Sequence, residues 1–167
     1  MFRLESTLEK LWYRECRTGR RFIIKIQPGA RVMEALLAFA RAENIRFMSI
    51  VSAVGSVHAV EFHGIQGGPQ LPITGPRITT HKLDEPLELM GLEGNICRNA
   101  AKELDAQMYI IAARASGEVV GGHLVDAEVL ATCEIVMAEY LVEGIERYHS
   151  VTGGVDTLFI DEESAPI

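Results

Sequence analysis

The stretch "GEVVGGHLVDAEVLATCEI", residues 117–135, sets two apolar runs on either side of Gly121-Gly122-His123. Two residues without side chains let a backbone bend or come close to a neighbour. The reading is a structural bend at Gly121 and Gly122. The second run extends to "EVLATCEIVMAEYL", residues 128–141. Its period is ambiguous, but its Val, Thr and Ile favour a long strand. The first run, "EVVGGHL", pairs with "QMYIIAARA" of residues 107–115 as a hairpin closed near Ser116-Gly117.

Upstream, "RRFIIKIQPGA" predicts a strand from Arg21 to Gln27, stopped by the turn pair Pro28-Gly29. Val32, Ala35, Leu36, Phe39 and Ala40 then recur at helical spacing, with Glu34 suited to the positive end of the dipole and Asn44 ending the helix. "FMSIVSAVGSVHAVEFHGI" reads as two strands about Gly55-Ser56. A glycine- and proline-rich loop, "IQGGPQLPITGPR", precedes two short strands in "PRITTHKL" and "PLELMGLEG". "CRNAAKELDA" reads as a helical turn or a surface loop, and "VDTLFI" as a last strand. The fold class that follows is α+β, a largely antiparallel sheet packed on the helix of residues 31–42. Residues 1–19 read as an N-terminal extension, 20–160 as the domain and 161–167 as an acidic tail.

A chain of 167 residues fits one domain with a real core. With 48% apolar and 23% charged residues it has the balance of a folded protein, not a disordered one. Its formal charge of −7 repels nucleic acid and anionic membrane, although Arg14, Arg17, Arg20, Arg21 and Lys25 could gather into a local basic patch. Cys16, Cys97 and Cys133 match neither a disulfide framework nor a zinc ribbon, which points to a reducing cytoplasm. Cys133 reads as a small core residue. No run approaches the roughly 18 apolar residues of a membrane span, so a soluble, cytoplasmic protein is expected.

His123 is a candidate for metal binding or proton transfer. Zinc needs three or four ligands, and on a strand two of them come as His-x-His, because alternate side chains share a face. The preceding strand offers Gln107, Tyr109 and Ile111. Glu134 shares a face with Leu130, Thr132 and Val136, and a carboxylate among apolar neighbours needs a partner. Glu88, in "PLELM", raises the same question. These two glutamates could work with His123 as acid and base, or meet arginines across a subunit contact. His58 and His63 have opposite parity in a regular strand, and His81 and His149 sit near strand ends. No nucleophile elbow, phosphate loop, dinucleotide fingerprint or AT-hook core is present.

In order along the chain, "IQPGARVMEALLAFARAENI", "SAVGSV", "EPLELMGLEGNI" and "GEVVGGHLVDAEVLATCEIVM" resemble the plant-and-prokaryote-conserved (PPC) domain family over roughly residues 20 to 140. The resemblance implies a compact domain around an antiparallel sheet, similar in fold to acetolactate decarboxylase, and a homotrimer. In plants such domains follow AT-hooks and recruit partners through a Gly-Arg-Phe-Glu-Ile-Leu motif. Leu87, Glu88, Leu89 and Met90 match its last four positions in character, while Glu85 and Pro86 depart from the first two. Stand-alone prokaryotic members carry a DNA-binding label. Many also carry a three-histidine metal set, of which His123 keeps the third position; the other two fall on Gln107 and Tyr109, or on Tyr109 and Ile111.

The expected function is that of a homotrimeric, regulatory interaction module with no cofactor, partnered by itself and by another protein. Direct DNA binding is disfavoured by the acidity. The alternative is a small-molecule enzyme using His123, Glu134 and Glu88, with or without zinc.

Overall fold

A computed structural model describes residues 12–160, with the side chains of residues 159 and 160 left aside. The expected tail at 161–167 and the first eleven residues of the expected extension lie outside the described residues. Strand β1 (Arg17–Ile26) starts before the expected boundary at residue 20. It leads to α1 (Val32–Ala42), the single α-helix among the described residues, which buries Val32, Leu36 and Ala40. That spacing of four places them on the apolar stripe the sequence predicted. Asn44, at φ 52°, turns the chain out of the helix, and Ile45 N–H closes back on the Ala40 carbonyl at 2.9 Å. The helix start is capped from a distance. Arg31 makes no side-chain cap, and Asp126 accepts the Met33 N–H at 3.0 Å while pairing with Arg31 at 3.1 Å.

Strand β2 (Phe47–Ile65) is one long strand, which corrects the expected split at Gly55-Ser56. Its register slips at Gly55, where neighbouring chain comes so close that a Cβ would lie 2.1 Å from the Thr132 carbonyl oxygen. Glycine there marks a close approach and not the end of an element. After the loop follow β3 (Ile78–Leu83), β4 (Leu87–Arg98) and β5 (Leu104–Ala113). Half of the segment read as a helical turn or loop is strand, Cys97 and Arg98 ending β4 and Leu104 to Ala106 opening β5. Only a tight turn remains, held by Asn99 Oδ1 accepting from the Ala101 and Glu103 amides.

Strand β6 (Val119–Leu141) fuses the two runs of the opening stretch, so Gly121-Gly122 lie inside one continuous strand. Strands β7 (Ile145–Ser150) and β8 (Val155–Ile160) form a separate hairpin. The first of these was not legible in "IERYHS", a polar hexamer whose pattern names no buried face.

The main sheet runs β1-β6-β5-β4-β2-β3, and β6 also pairs with β2. Strands β2, β4, β5 and β6 therefore close on themselves, every pairing antiparallel. Inside the ring lie Met48, Val57, Ile96, Met108, Ile135 and Met137, each wholly buried or within 2% of it, with α1 packed against the same core through Leu36. Cys133 is among them, and burial pushes its thiol up to about 11. The α+β class and the antiparallel sheet on one helix stand as read. Among the described residues no helix is long and apolar enough to cross a membrane.

Candidate functional site

Three strands meet at His123. Tyr109 of β5 lies directly opposite it on one side and His63 of β2 on the other. The rings form a short row, with centroids 5.2 Å apart for Tyr109–His123 and 6.3 Å for His63–His123. The glycine before His123 makes this possible. A Cβ on Gly122 would stand 2.4 Å from the His63 carbonyl oxygen and 2.8 Å from the Phe62 ring, and one on Gly121 would stand 2.2 Å from the Ile110 carbonyl oxygen. Gly121 and Gly122 thus let β6 press between its two neighbours.

The row of rings borders a cavity of about 530 Å³, roofed by β7–β8 through His149, Gly154, Val155 and Asp156. Ile65, Ile73 and Ile78 supply apolar wall. Burial, reinforced by the neighbouring His63, lowers the His123 pKa, so its ring is neutral at pH 7. Arg147 of β7 is only 3% exposed. It pairs with Asp105 at 2.6 Å and donates to Gln107 Oε1 and Asn95 Oδ1, both at 2.6 Å. Asn95 and Gln107 face each other across β4 and β5, so one arginine from the hairpin ties it to the ring. Sequence reading passed over Arg147. Its only signal was one arginine in a hexamer with no recognised partner strand.

The residues needed for metal do not converge. Tyr109, common to both alignments, stands against His123 in register, and Gln107 lines the cavity with it. Among the described residues, no group of three or more His, Cys, Asp or Glu stands where it could hold a metal ion. The remaining set does not fit zinc, which takes three or four such ligands.

Neither glutamate joins His123. Glu134 lies on the order of 30 Å further along β6, at about 3.3 Å per residue. It is exposed, opposite Lys25 of β1 and Val54 of β2. The expected apolar face around it is the outer face of the sheet, so its carboxylate needs no buried partner. Glu88 is exposed on the same side, opposite Ser56. The acid–base set of His123, Glu88 and Glu134 is therefore not assembled within the chain. Of the four expected contact residues, Leu87 and Leu89 are spent in the chain's own core, which leaves Glu88 and Met90 facing outward. His58 pairs with Glu128 at 3.2 Å, and His81 stacks on Phe62, each apart from the cavity.

The outer face carries more than the sequence suggested. Row by row across β1, β6 and β2 it presents Ile23, Val136 and Ser52, then Lys25, Glu134 and Val54. Ile23 is 84% exposed and Met90 62%, and Val51, Val54 and Leu130 are exposed with them.

Comparison with known proteins agrees with this architecture. The metal-containing protein of Archaeoglobus fulgidus superposes with a TM-score of 0.76 at 24% identity, covering 88% of this chain and 98% of that one. A Bacteroides thetaiotaomicron protein described as a candidate for DNA binding gives 0.72 at 19%, covering 88% and 99%. At these identities the likeness is one of fold. A bifunctional GlmU protein of a Synechococcus strain is 25% identical over 144 residues, and the chain spans only 21% of its length. Residues 13–141 match the Plants and Prokaryotes Conserved (PCC) domain, and the chain belongs to that family.

Proposed function

We propose that the chain is a homotrimeric, non-enzymatic interaction module with a regulatory role, and that the outer face of β1, β6, β2 and β4 is its subunit contact. The observation that carries this reading is the cluster of exposed Ile23, Val54, Met90 and Leu130 beside Lys25, Glu88 and Glu134. Large apolar side chains gathered on one face favour association. Charges of both signs among them let copies of the same face complement one another. Light scattering coupled to size exclusion is expected to give three times 18.4 kDa at micromolar concentration. A clean monomer overturns the reading.

The enzyme alternative is weakened because His123, Glu88 and Glu134 lie at separate places. Although the Archaeoglobus neighbour contains metal, this chain has Gln107 and Tyr109 beside His123, which supports a metal site lost from this branch of the fold. Metal analysis of protein purified without a histidine tag is expected to find no stoichiometric ion. A stoichiometric metal that disappears in His123→Ala restores the enzyme reading. For DNA, the charge of −7 opposes a direct role. Micromolar binding to duplex DNA at physiological salt, falling steeply as salt is added, overturns that objection.

A further inference from the structure

We infer that the cavity between the His63–His123–Tyr109 row and the β7–β8 hairpin binds an uncharged, flat nitrogen heterocycle of about purine size. This goes beyond self-association and does not depend on it. The cavity's volume, about 530 Å³, lies within the range of small-molecule sites. Its chemistry narrows the class.

Three polar rings open into it with nothing to bond. Among the described residues, neither imidazole of His63 and His123 nor the Tyr109 hydroxyl has a hydrogen-bond or ion-pair partner; their contacts are the ring contacts with one another. A neutral imidazole offers one donor and one acceptor, and a phenol can do either. A hydrocarbon ligand would bury these groups unpaired, which is costly. The occupant must therefore carry donors and acceptors along its edge. Its faces, by contrast, must suit the isoleucines at 65, 73 and 78 and the aromatic rings, which stand tilted at 54° and 44° to one another. A planar heterocycle meets both demands.

Among the described residues, no arginine or lysine lines the cavity to receive an anion. The guanidinium of Arg147 is buried and held by Asp105, Gln107 and Asn95, so it is not available to a carboxylate or phosphate. Asp156 is engaged with His149 at 2.9 Å.

The test uses the full, isotope-labelled chain with adenine, adenosine and AMP as probes, read by amide shifts. Adenine and adenosine are expected to give saturable shifts at Gly122, His123, Gly154 and Val155. AMP, with the same ring and a dianionic phosphate, is expected to bind at least ten-fold more weakly. Tyr109→Phe leaves the fold intact, because the ring is half exposed, and is expected to weaken adenine several-fold. Ile78→Trp fills the cavity from an exposed strand position and is expected to abolish the shifts. The proposal is overturned if adenine gives no saturable shift up to millimolar concentration. It is equally overturned if AMP binds as tightly as adenine, or if the shifts persist in Ile78→Trp. Light scattering of the same samples reads the oligomer separately, so failure here leaves the subunit contact untouched.

Discussion

Gly122 shows how one residue can matter through what it lacks. His63 faces His123 across β2 and β6, and the approach leaves no room for a methyl group at position 122. Gly122→Ala is expected to destabilise the chain by about 1–3 kcal/mol, the usual cost of overpacking. The obstruction includes backbone, which cannot swing aside as a flexible side chain can, so the upper part of that range applies. Gly91 is the control. It has nothing within 4 Å of a built Cβ, and Gly91→Ala should change stability by less than about 0.5 kcal/mol, as surface substitutions usually do. Urea unfolding of the two variants checks both. Equal effects would mean that the strand contact at Gly122 is not what requires glycine.

Between elements, the join of β1, β6 and the end of α1 rests on Arg20. Its guanidinium pairs with Glu139 at 2.8 Å and with Glu43 at 2.9 Å, and also donates to the Glu43 carbonyl. Its backbone N–H reaches Glu139 Oε2 at 3.2 Å. The side-chain hydrogen bond from Arg20, more than any other cause, holds the Glu139 carboxyl below its ordinary 4.5. A folded pKa below the unfolded one means stability that is present above the unfolded value and lost as pH falls through the folded one. Glu139→Gln is therefore expected to reduce stability at neutral pH and to flatten its decline below about pH 4.5. Urea midpoints measured from pH 7 down to pH 3 check this. A variant whose decline matches the parent's would assign the acid sensitivity to other carboxylates. The half-exposed arginine is screened by water, which keeps the effect modest.

Across the whole molecule, ring closure changes what assembly can rest on. Strand β6 has β2 along one side from His123 to Glu139, with β5 against residues 119–123 and β1 against residues 133–141 on the other, so most of its length is already paired. The sheet ends in β1 and β3 instead. Assembly through the outer face then rests on side chains and not on strand addition. Val54→Asp places a second acid beside Glu134 on that face while leaving the core untouched, since Val54 is 53% exposed. It is expected to shift the light-scattering mass from the trimer towards the monomer without lowering the monomer's own helix and sheet signal by circular dichroism. An unchanged mass would place the contact elsewhere.

How much of this was readable beforehand depended on the range of the forces involved. Helical spacing from Val32 to Ala40, the turn at Asn44, the hairpin about Ser116-Gly117 and the strand character of residues 128–141 are local, set by side-chain period and backbone preference, and the sequence alone determined them. The same is true of the glycine pair, whose importance was legible although its reason was not. Which chain presses against Gly122, which arginine fills the space under β7–β8, and that Glu88 and Glu134 face outward far from His123 are pairings between residues distant in sequence. No period encodes them, because they depend on register, and one slip such as that at Gly55 reassigns which side chains meet. Only the tertiary structure decided that the histidine's neighbours are a tyrosine and a second histidine across the sheet, and that the two acids belong to a surface.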